Sequence, residues 1–255
     1  MPDLFLQIEQ DGEAAPPPAL GEEEALHLLR TAEITASRLI PWGSNYTFGV
    51  ALTTGEGLET LAIYKPRAGE APLYDFPDGT LFHRETAAYL LSRHLGWHLV
   101  PPTVVRDGPN GIGSLQLYVQ PDGDTGDPSE FWGQCLPEIE RLVMFDHLAN
   151  NADRKIGHCL RDPSGRIWGI DHGLTFNIYP KLRTVLWQFV GDEVSPEILG
   201  DLRSLRERAP EVRAALAPHL TTGEIDAVFT RVEGFLLDGR YPRLSTRRNV
   251  PWGWW

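Results

Sequence analysis

The alternation of apolar and polar positions predicts a helix and then three strands in the first third of the chain. Residues 22–30 carry apolar side chains at helical spacing in an otherwise charged stretch: Ala25, Leu26, Leu28 and Leu29. Three runs bounded by turn residues are then typical of strands, at residues 34–40, 46–52 and 58–64. The last of these strands leads directly into Lys65 and Pro66. This part of the chain is therefore expected to form a sheet.

Helical periodicity prevails later in the chain. A helix beginning near Phe82 carries Glu85 amid an apolar face. Three further helices are predicted at residues 195–208, 211–220 and 222–237. The first of these begins with Ser195 as its N-cap and a proline at its first helical position, which is a favourable start. The pattern thus predicts a strand-rich front and a helical rear.

Between these regions lies a stretch with several potential metal or proton ligands. Asp153 and His158 precede the turn sequence Asp-Pro-Ser-Gly at residues 162–165, and Asp171 follows it. Proline at the second position and glycine at the fourth are typical of a β-turn. The turn folds the chain back on itself, so Asp171 is expected to return towards Asp153 and His158. Carboxylates gathered in this way suit divalent-metal chemistry on phosphates.

Composition narrows the function classes. The chain has 255 residues, enough for one large or two-lobed domain, and a net charge of −12, which argues against a nucleic-acid binder. Its two cysteines, Cys135 and Cys159, lack the spacing of a zinc site or a disulfide framework. No apolar run reaches the roughly 18 residues that a membrane span needs, and the first residues lack the features of a signal peptide. We therefore expect a cytoplasmic protein with no membrane span.

Six motifs occur in an order that resembles the phosphatidylinositol 3-/4-kinase-like family. The resemblance is to type II phosphatidylinositol 4-kinases and to a related actinobacterial group whose substrate is unknown. The motifs are GSNYTF, AIYKP, RETAAYLLSRHLGWHLVPPTVV, GSLQLYVQ, NNADRKIGH and GIDHGLTF, spread over residues 43–176. The resemblance implies an α+β, two-lobed protein-kinase-like fold in a single domain over residues 1–255. Residues 1–19 would be partly flexible, 20–119 would form a small strand-rich N-lobe, and 120–255 a larger, mostly helical C-lobe.

The same resemblance assigns residues to ATP. The turn with Gly43, Ser44 and Asn45 would cover the phosphates. The remaining nucleotide-binding positions are the phosphate lysine, its partner on the following helix, and two residues of a hinge at residues 119–122 that meets adenine; these are Lys65, Glu85, Val119 and Gln120.

Catalysis and metal binding would fall on the central stretch. Asp153 matches the catalytic-loop aspartate, with Lys65 as the other catalytic residue, and Asp171 matches the aspartate that bridges Mg²⁺ to the phosphates. The chain departs from the family at His158, where the second metal ligand is usually asparagine. Magnesium prefers oxygen ligands, so three readings stay open. His158 contacts phosphate, or the site accepts Mn²⁺, or only one metal is held tightly.

The expected function is ATP-dependent transfer of the γ-phosphate to a hydroxyl of a small molecule or protein. Lys181 and Arg183, in the region of an activation segment, are candidates to meet an anionic substrate, although surface solvation is the more usual fate of such residues. The first alternative is a nucleotide-binding pseudokinase with a regulatory or partner-binding role. A purely structural partner protein is another. The last alternative is a metal-dependent phosphohydrolase, because the chain offers enough ligands for two ions: Asp146, His147, His158, Asp171 and His172.

Overall fold

A computed structural model describes residues 20–41, 45–55, 57, 59–122, 131–134 and 136–252. The chain forms two compact units. One comprises Met1–His83 with Pro102–Tyr118, and the other comprises Arg84–Pro101 with Val119–Trp255. The predicted flexible segment, residues 1–19, lies outside the described residues.

The first unit is built on a five-stranded antiparallel sheet with strand order β1-β2-β3-β5-β4. Its strands are β1 (Glu33–Ile40), β2 (Thr47–Thr53), β3 (Glu59–Pro66), β4 (Thr103–Gly108) and β5 (Gly111–Leu117). The three strands predicted for the front of the chain are confirmed, each within two residues at either end. Alternation places Val50 opposite Ala62 and Tyr64 opposite Leu115, and all four are buried. These residues form the apolar face of the sheet.

One helix packs on this sheet. Helix α1 (Glu22–Thr31) buries the predicted apolar set and contacts β4 and β5. Its C-terminal end is held by Arg106, whose Nη1 donates to the carbonyl oxygens of Leu29 and Ala32 at 3.0 and 2.9 Å. Because the last carbonyls of a helix have no partner within the helix, this arginine acts as their cap.

Helix α2 (Leu81–His94) follows, close to the predicted start at Phe82. Both carboxylate oxygens of Glu70 accept hydrogen bonds from the first helical N–H groups, those of Leu81 at 3.1 Å and Phe82 at 2.8 Å. A carboxylate at this end satisfies unpaired donors and complements the helix dipole. From Arg84 onwards the helix belongs to the second unit.

The second unit is mostly helical. It contains α3 (Pro137–Ala149), α4 (Pro196–Glu207), α5 (Ala209–Leu216) and α6 (Thr222–Asp238), with a small hairpin of β6 (Cys159–Arg161) and β7 (Ile167–Gly169). Helix α6 packs against α3 and α4 through its buried face. Within the described ranges, every helix is too short or too polar to cross a bilayer.

The boundaries of the C-terminal helices agree with prediction except at α5. Ser195 caps α4 as predicted, accepting from the N–H of Ile198 at 3.5 Å. Helix α5 was predicted at residues 211–220 but begins at Ala209 and ends at Leu216. Helix α6 begins at Thr222 as predicted, and its N-cap, Thr221, forms a capping box with Glu224.

Candidate functional site

The turn predicted at residues 162–165 forms and returns the chain towards the stretch that carries Asp153 and His158. Strands β6 and β7 pair antiparallel, with Cys159 opposite Gly169. Asp162 Oδ1 closes the turn by accepting from the N–H groups of Ser164 and Arg166 at 2.9 and 3.0 Å. The hairpin prediction is therefore confirmed, since a side chain that mimics the backbone fixes the reversal.

The hairpin brings two of the predicted ligands together. His158 Nε2 lies 3.2 Å from Asp171 Oδ2, with the imidazole largely buried and the carboxylate about half exposed. The backbone of Asp171 is left-handed, with a φ of 60°. Aspartate tolerates this region better than most residues do. The predicted return of Asp171 to His158 is thus confirmed.

The orientation of His158 is set by Asp153. His158 Nδ1 lies 3.0 Å from the carbonyl oxygen of Asp153. A carbonyl only accepts, so Nδ1 carries the proton of this hydrogen bond. Nε2 is then the ring nitrogen that faces Asp171. The carboxylate of Asp153 itself pairs with Lys155 Nζ at 2.8 Å, and both side chains are partly exposed.

Beneath these residues lies a buried network centred on Arg154. Its side chain is fully buried, and Nε and Nη2 donate to the two carboxylate oxygens of Asp146, both at 2.8 Å. Nη1 donates to the carbonyl oxygens of His158 and Ile170, at 2.9 and 3.0 Å. Arg154 therefore fixes the backbone on both sides of the hairpin, at His158 and at Ile170, the residue that precedes Asp171.

His172 joins the same network. Its Nε2 lies 2.8 Å from Arg154 Nη2, and because a guanidinium only donates, Nε2 accepts. Gly169 lies beside both residues. A Cβ there would come within 2.9 Å of the Leu142 side chain and 3.3 Å of Arg154 Nη2. A larger residue at position 169 would therefore require the Leu142 side chain to shift.

Two consecutive residues of α2 hold the segment after Asp171. Glu85 Oε2 accepts from the backbone N–H of His172 at 2.9 Å. Arg84 donates to the carbonyl oxygen of Thr175 at 2.6 Å and pairs with Glu224 of helix α6. Arg84, Glu85 and Glu224 are buried. The positions of Asp171 and His172 thus depend on α2 as well as on the hairpin.

Lys65 and the predicted phosphate-covering turn, residues 43–45, belong to the first unit. Lys65 lies in β3, opposite Ser114 of β5, and is partly exposed. Asn45 Oδ1 accepts from the N–H of Ala71 at 2.8 Å, which ties the predicted phosphate-covering turn to the segment after β3. Gly43 and Ser44 lie outside the described residues.

The predicted hinge begins where the first unit ends. Tyr118 still bonds to the sheet, its N–H donating to Leu61 O at 3.0 Å, and Val119 is the first residue of the second unit's later part. Gln120 is exposed. Asp122 pairs with Arg161 of β6 at 3.1 Å, so the end of the hinge is anchored on the hairpin.

The ligands that a phosphohydrolase would need are engaged elsewhere. Both carboxylate oxygens of Asp146 bind Arg154, and His172 Nε2 accepts from Arg154. His147 packs against Phe235 and Tyr241, and burial lowers its pKa to about 4. Across the described residues, no group of three or more His, Cys, Asp or Glu side chains is placed to hold a metal ion. Asp146 and His172, two of the ligands that the two-ion hydrolase would use, are thus bound to Arg154.

Sequence reasoning missed the role of Arg154 and the adjacent asparagines. Asn151 Nδ2 donates to Asp146 Oδ1 at 2.9 Å, and its Oδ1 accepts from the N–H of Asp153. Asn150, at the C-cap of α3, has a left-handed φ of 52° and binds the carbonyls of Asn177 and Tyr179. The available signal was the Asn-Asn pair directly after an apolar helix, because asparagine favours a left-handed helix end.

Solved structures define the class of fold. The Golgi casein kinase with Mn/ADP bound matches with a TM-score of 0.54 and 15% identity, covering 85% of this chain and 74% of that chain. A hydra Fam20 structure with sugar matches with a TM-score of 0.50 and 15% identity, covering 83% and 86%. The chain therefore has a protein-kinase-like α+β fold, with a strand-rich unit and a mostly helical unit, as predicted.

Sequence relatives define the family. Protein Rv2133c of Mycobacterium tuberculosis is 38% identical over an alignment of 261 residues, covering 88% of this chain and 93% of that protein. The chain belongs to the family of that protein. Phosphatidylinositol 4-kinase gamma 4 of Oryza sativa subsp. japonica is 33% identical over 155 residues, covering 52% of this chain. That alignment spans only 24% of the plant protein. No protein-family model matches the chain.

Proposed function

We propose that this protein is a metal-assisted, ATP-dependent phosphotransferase that moves the γ-phosphate to a hydroxyl of a small molecule or a protein. The observation that carries the proposal is the 3.2 Å approach of His158 Nε2 to Asp171 Oδ2, on a loop that also presents Asp153. The protein-kinase-like fold and the partial similarity to a phosphatidylinositol 4-kinase support the same function. The finer assignment to the type II group is part of this proposal.

The donor set fits a divalent cation. In a neutral His158, Nδ1–H donates a hydrogen bond to the Asp153 carbonyl oxygen, so the lone pair of Nε2 points towards a carboxylate oxygen of Asp171. Two electron-rich atoms 3.2 Å apart need a proton or a cation between them. Adjacent ligands of an octahedral ion with bonds of about 2.1 Å lie about 3 Å apart. His158 and Asp171 are therefore proposed as the metal ligands, with phosphate oxygens and water completing the shell.

The imidazole of His158 influences which divalent ion the proposed site prefers. Magnesium takes oxygen ligands, whereas later divalent ions accept imidazole more readily. We therefore expect Mn²⁺ to support the reaction at least as well as Mg²⁺, and the related fold of the Golgi casein kinase holds Mn with ADP. A bound divalent ion would neutralise charge on the phosphates during transfer.

Asp153 is proposed to orient the acceptor hydroxyl and accept its proton. Its carboxylate pairs with Lys155 Nζ at 2.8 Å and is partly exposed, so an acceptor hydroxyl could reach it. The hydrogen bond from the Asp153 N–H to Asn151 holds the backbone of this residue. The buried Arg154 network beneath it keeps the loop in place.

The remaining residues would bind the nucleotide. Lys65 is proposed to contact the phosphates, Glu85 to support that lysine, and Val119 and Gln120 to meet adenine, chiefly through the backbone. Gly43, Ser44 and Asn45 are proposed to cover the phosphates. These assignments rest on the family resemblance.

A nucleotide-binding pseudokinase is the second candidate, and the His158–Asp171 contact is the observation that favours it. A protonated His158 would satisfy Asp171 as an ion pair at the same distance and would exclude a cation from that position. Such a protein would bind nucleotide and transfer no phosphate.

The test measures nucleotide binding first and transfer second. We expect ATP with Mg²⁺ or Mn²⁺ to raise the Tm, because a ligand at 100 times its Kd stabilises by about 2.7 kcal/mol. The same titration on Asp171→Asn is the control and should lose the metal-dependent part. Incubation with γ-labelled ATP and a metabolite extract then follows the label. Absence of any Tm shift with either metal contradicts both candidates, and a shift without transfer supports the pseudokinase.

A further inference from the structure

The helical unit contains a cavity of about 1410 Å³. Seven of the side chains that line it are cationic and two are acidic, although the whole chain carries a net charge of −12. One of the two acids, Asp226, is paired with Arg213 at 2.5 Å. None of Asp153, His158 and Asp171 belongs to the described lining of the cavity. A concentration of positive charge in an acidic protein focuses the field on anions.

The cations come from three parts of the chain. Lys181 and Arg183 lie in the segment after Asp171, and Arg231 lies on α6. Four arginines lie beyond α6, namely Arg240, Arg243, Arg247 and Arg248, and Arg240 is paired with Glu193 at 3.0 Å. Among the described residues, no carboxylate forms an ion pair with Arg183, Arg243, Arg247 or Arg248. Cations that are gathered without carboxylate partners repel one another, so the arrangement favours an anionic ligand that neutralises them.

Arg231 adds a buried hydrogen-bond donor that lacks an acceptor among the described residues. Its Nε donates to Leu148 O at 2.7 Å and its Nη1 to Asn177 O at 3.4 Å. Its Nη2 is buried, and no acceptor within the described part of the chain reaches it. Burial lowers the pKa of Arg231 to about 10. A buried donor without an acceptor is unfavourable and is expected to be satisfied by a ligand or an ordered water.

The segments that line the cavity are joined by hydrogen bonds to backbone carbonyl oxygens. Asn249 Nδ2 donates to Leu182 O at 2.7 Å, and its carbonyl accepts from the N–H of Thr184 at 2.9 Å. This joins the arginine-bearing segment at the end of the described chain to the segment with Lys181 and Arg183. Arg183 in turn exchanges backbone hydrogen bonds with Asn151 and Arg154. A frame built in advance lowers the entropic cost of binding.

We propose that this cavity binds a small anion that carries two or more adjacent phosphate groups. Arginine matches phosphate because its planar fork donates two parallel hydrogen bonds, and several arginines on separate segments suit several phosphates rather than one. The same chemistry is offered by a soluble polyphosphate and by a phosphorylated lipid headgroup. The proposal holds whether or not the protein transfers phosphate.

The experiment titrates the full chain with sodium tripolyphosphate by calorimetry at two salt concentrations. We expect saturable binding that weakens with salt. Arg247→Gln with Arg248→Gln should weaken it by roughly tenfold or more, because the variant loses two cationic donors of charge-assisted hydrogen bonds to phosphate. These side chains are exposed, so the variant is expected to fold. The matched control is Arg203→Gln with Arg206→Gln, which makes the same charge change on α4, outside the cavity.

Two further arms identify the source and the site. Vesicles of phosphatidylcholine with phosphatidylinositol 4,5-bisphosphate, whose headgroup carries two adjacent phosphate groups, are compared with phosphatidylcholine alone to test a headgroup ligand. If the vesicles bind the unaltered protein but not the Arg247/Arg248 variant, the ligand of the cavity is a membrane-borne phosphate. Asp171→Asn should bind tripolyphosphate as well as the unaltered protein does. Loss in Asp171→Asn but not in the arginine variant would place the anion at the nucleotide site and overturn the proposal, as would no binding of either probe.

Discussion

Glu85 Oε2 accepts a hydrogen bond from the backbone N–H of His172 at 2.9 Å, and both residues are buried. A helix glutamate therefore holds the segment that follows the candidate metal aspartate, Asp171. A carboxylate has two oxygens, so this bond is compatible with the proposed role of Glu85 as partner of Lys65. The expected consequence is that Glu85 matters for stability as well as for nucleotide binding.

Substitutions at Glu85 should separate these two roles. Glu85→Gln keeps an oxygen that can accept from His172, whereas Glu85→Ala leaves that buried N–H without its acceptor at a cost of about 1–3 kcal/mol. We expect urea unfolding to show a clear loss of stability for alanine and a smaller one for glutamine. Both variants should bind ATP more weakly, because both lose the charge. Equal stability of the two variants would contradict the structural role of the hydrogen bond.

Lys65→Met should weaken ATP use strongly and leave the fold intact. Methionine keeps the length and packing of the stem in β3 but loses the charge. The measurements are turnover with labelled ATP and the Tm of the free protein. Unchanged turnover would show that Lys65 is a surface residue of the strand without a part in phosphate binding.

Asp153 and Asp171 should fail differently when each is changed to asparagine. Asp171→Asn is expected to reduce metal-dependent nucleotide binding and turnover together. Asp153→Asn should lower transfer by roughly 10²–10⁴-fold with nearly unchanged ATP affinity, because a general base acts mainly in the transition state. The two quantities are measured by calorimetry and by initial rates. Equal losses of ATP affinity in the two variants would refute this division of roles.

His158→Asn should shift the metal preference towards magnesium. An amide oxygen is a harder ligand than an imidazole nitrogen, and asparagine restores the pattern of the resembled family. Rates in Mg²⁺ and Mn²⁺ are compared for the variant and the unaltered protein. Substitution also removes the hydrogen bond to the Asp153 carbonyl, so the Tm is recorded as a control. An unchanged ratio of the two rates would mean that His158 does not contact the metal.

Arg154→Met should destabilise the whole helical unit. It removes one partner of a buried ion pair and leaves Asp146 charged and buried, a loss of about 3–5 kcal/mol. Arg203→Met, at an exposed position of α4, is the control and is expected to change stability by about 0.5 kcal/mol or less. Denaturant unfolding compares the two. Similar stability of both variants would show that the Asp146 network does not hold the loop.

The sequence by itself determined several local elements of this protein, although strands β4 and β5 and helix α3 were not predicted. The β-turn of Asp162, the N-cap of Ser195 and the apolar spacing of α1 depend on residues a few positions apart, so their signals are visible in the chain. The same locality explains why the approach of Asp171 to His158 was predictable: both lie beside one short hairpin. The boundaries of α5 were missed, because adjoining turns can extend or shorten a short helix at little cost.

Only the tertiary structure decided which polar residues are structural and which are available for chemistry. Asp146 and His172 look like candidate ligands in the sequence, yet both are buried and bound to Arg154. The cationic cavity likewise joins residues 181–183 to residues 243–248, which no periodic pattern connects. The physical reason is that desolvation and ion pairing depend on distance in space, and segments remote along the chain become neighbours only when the core is packed.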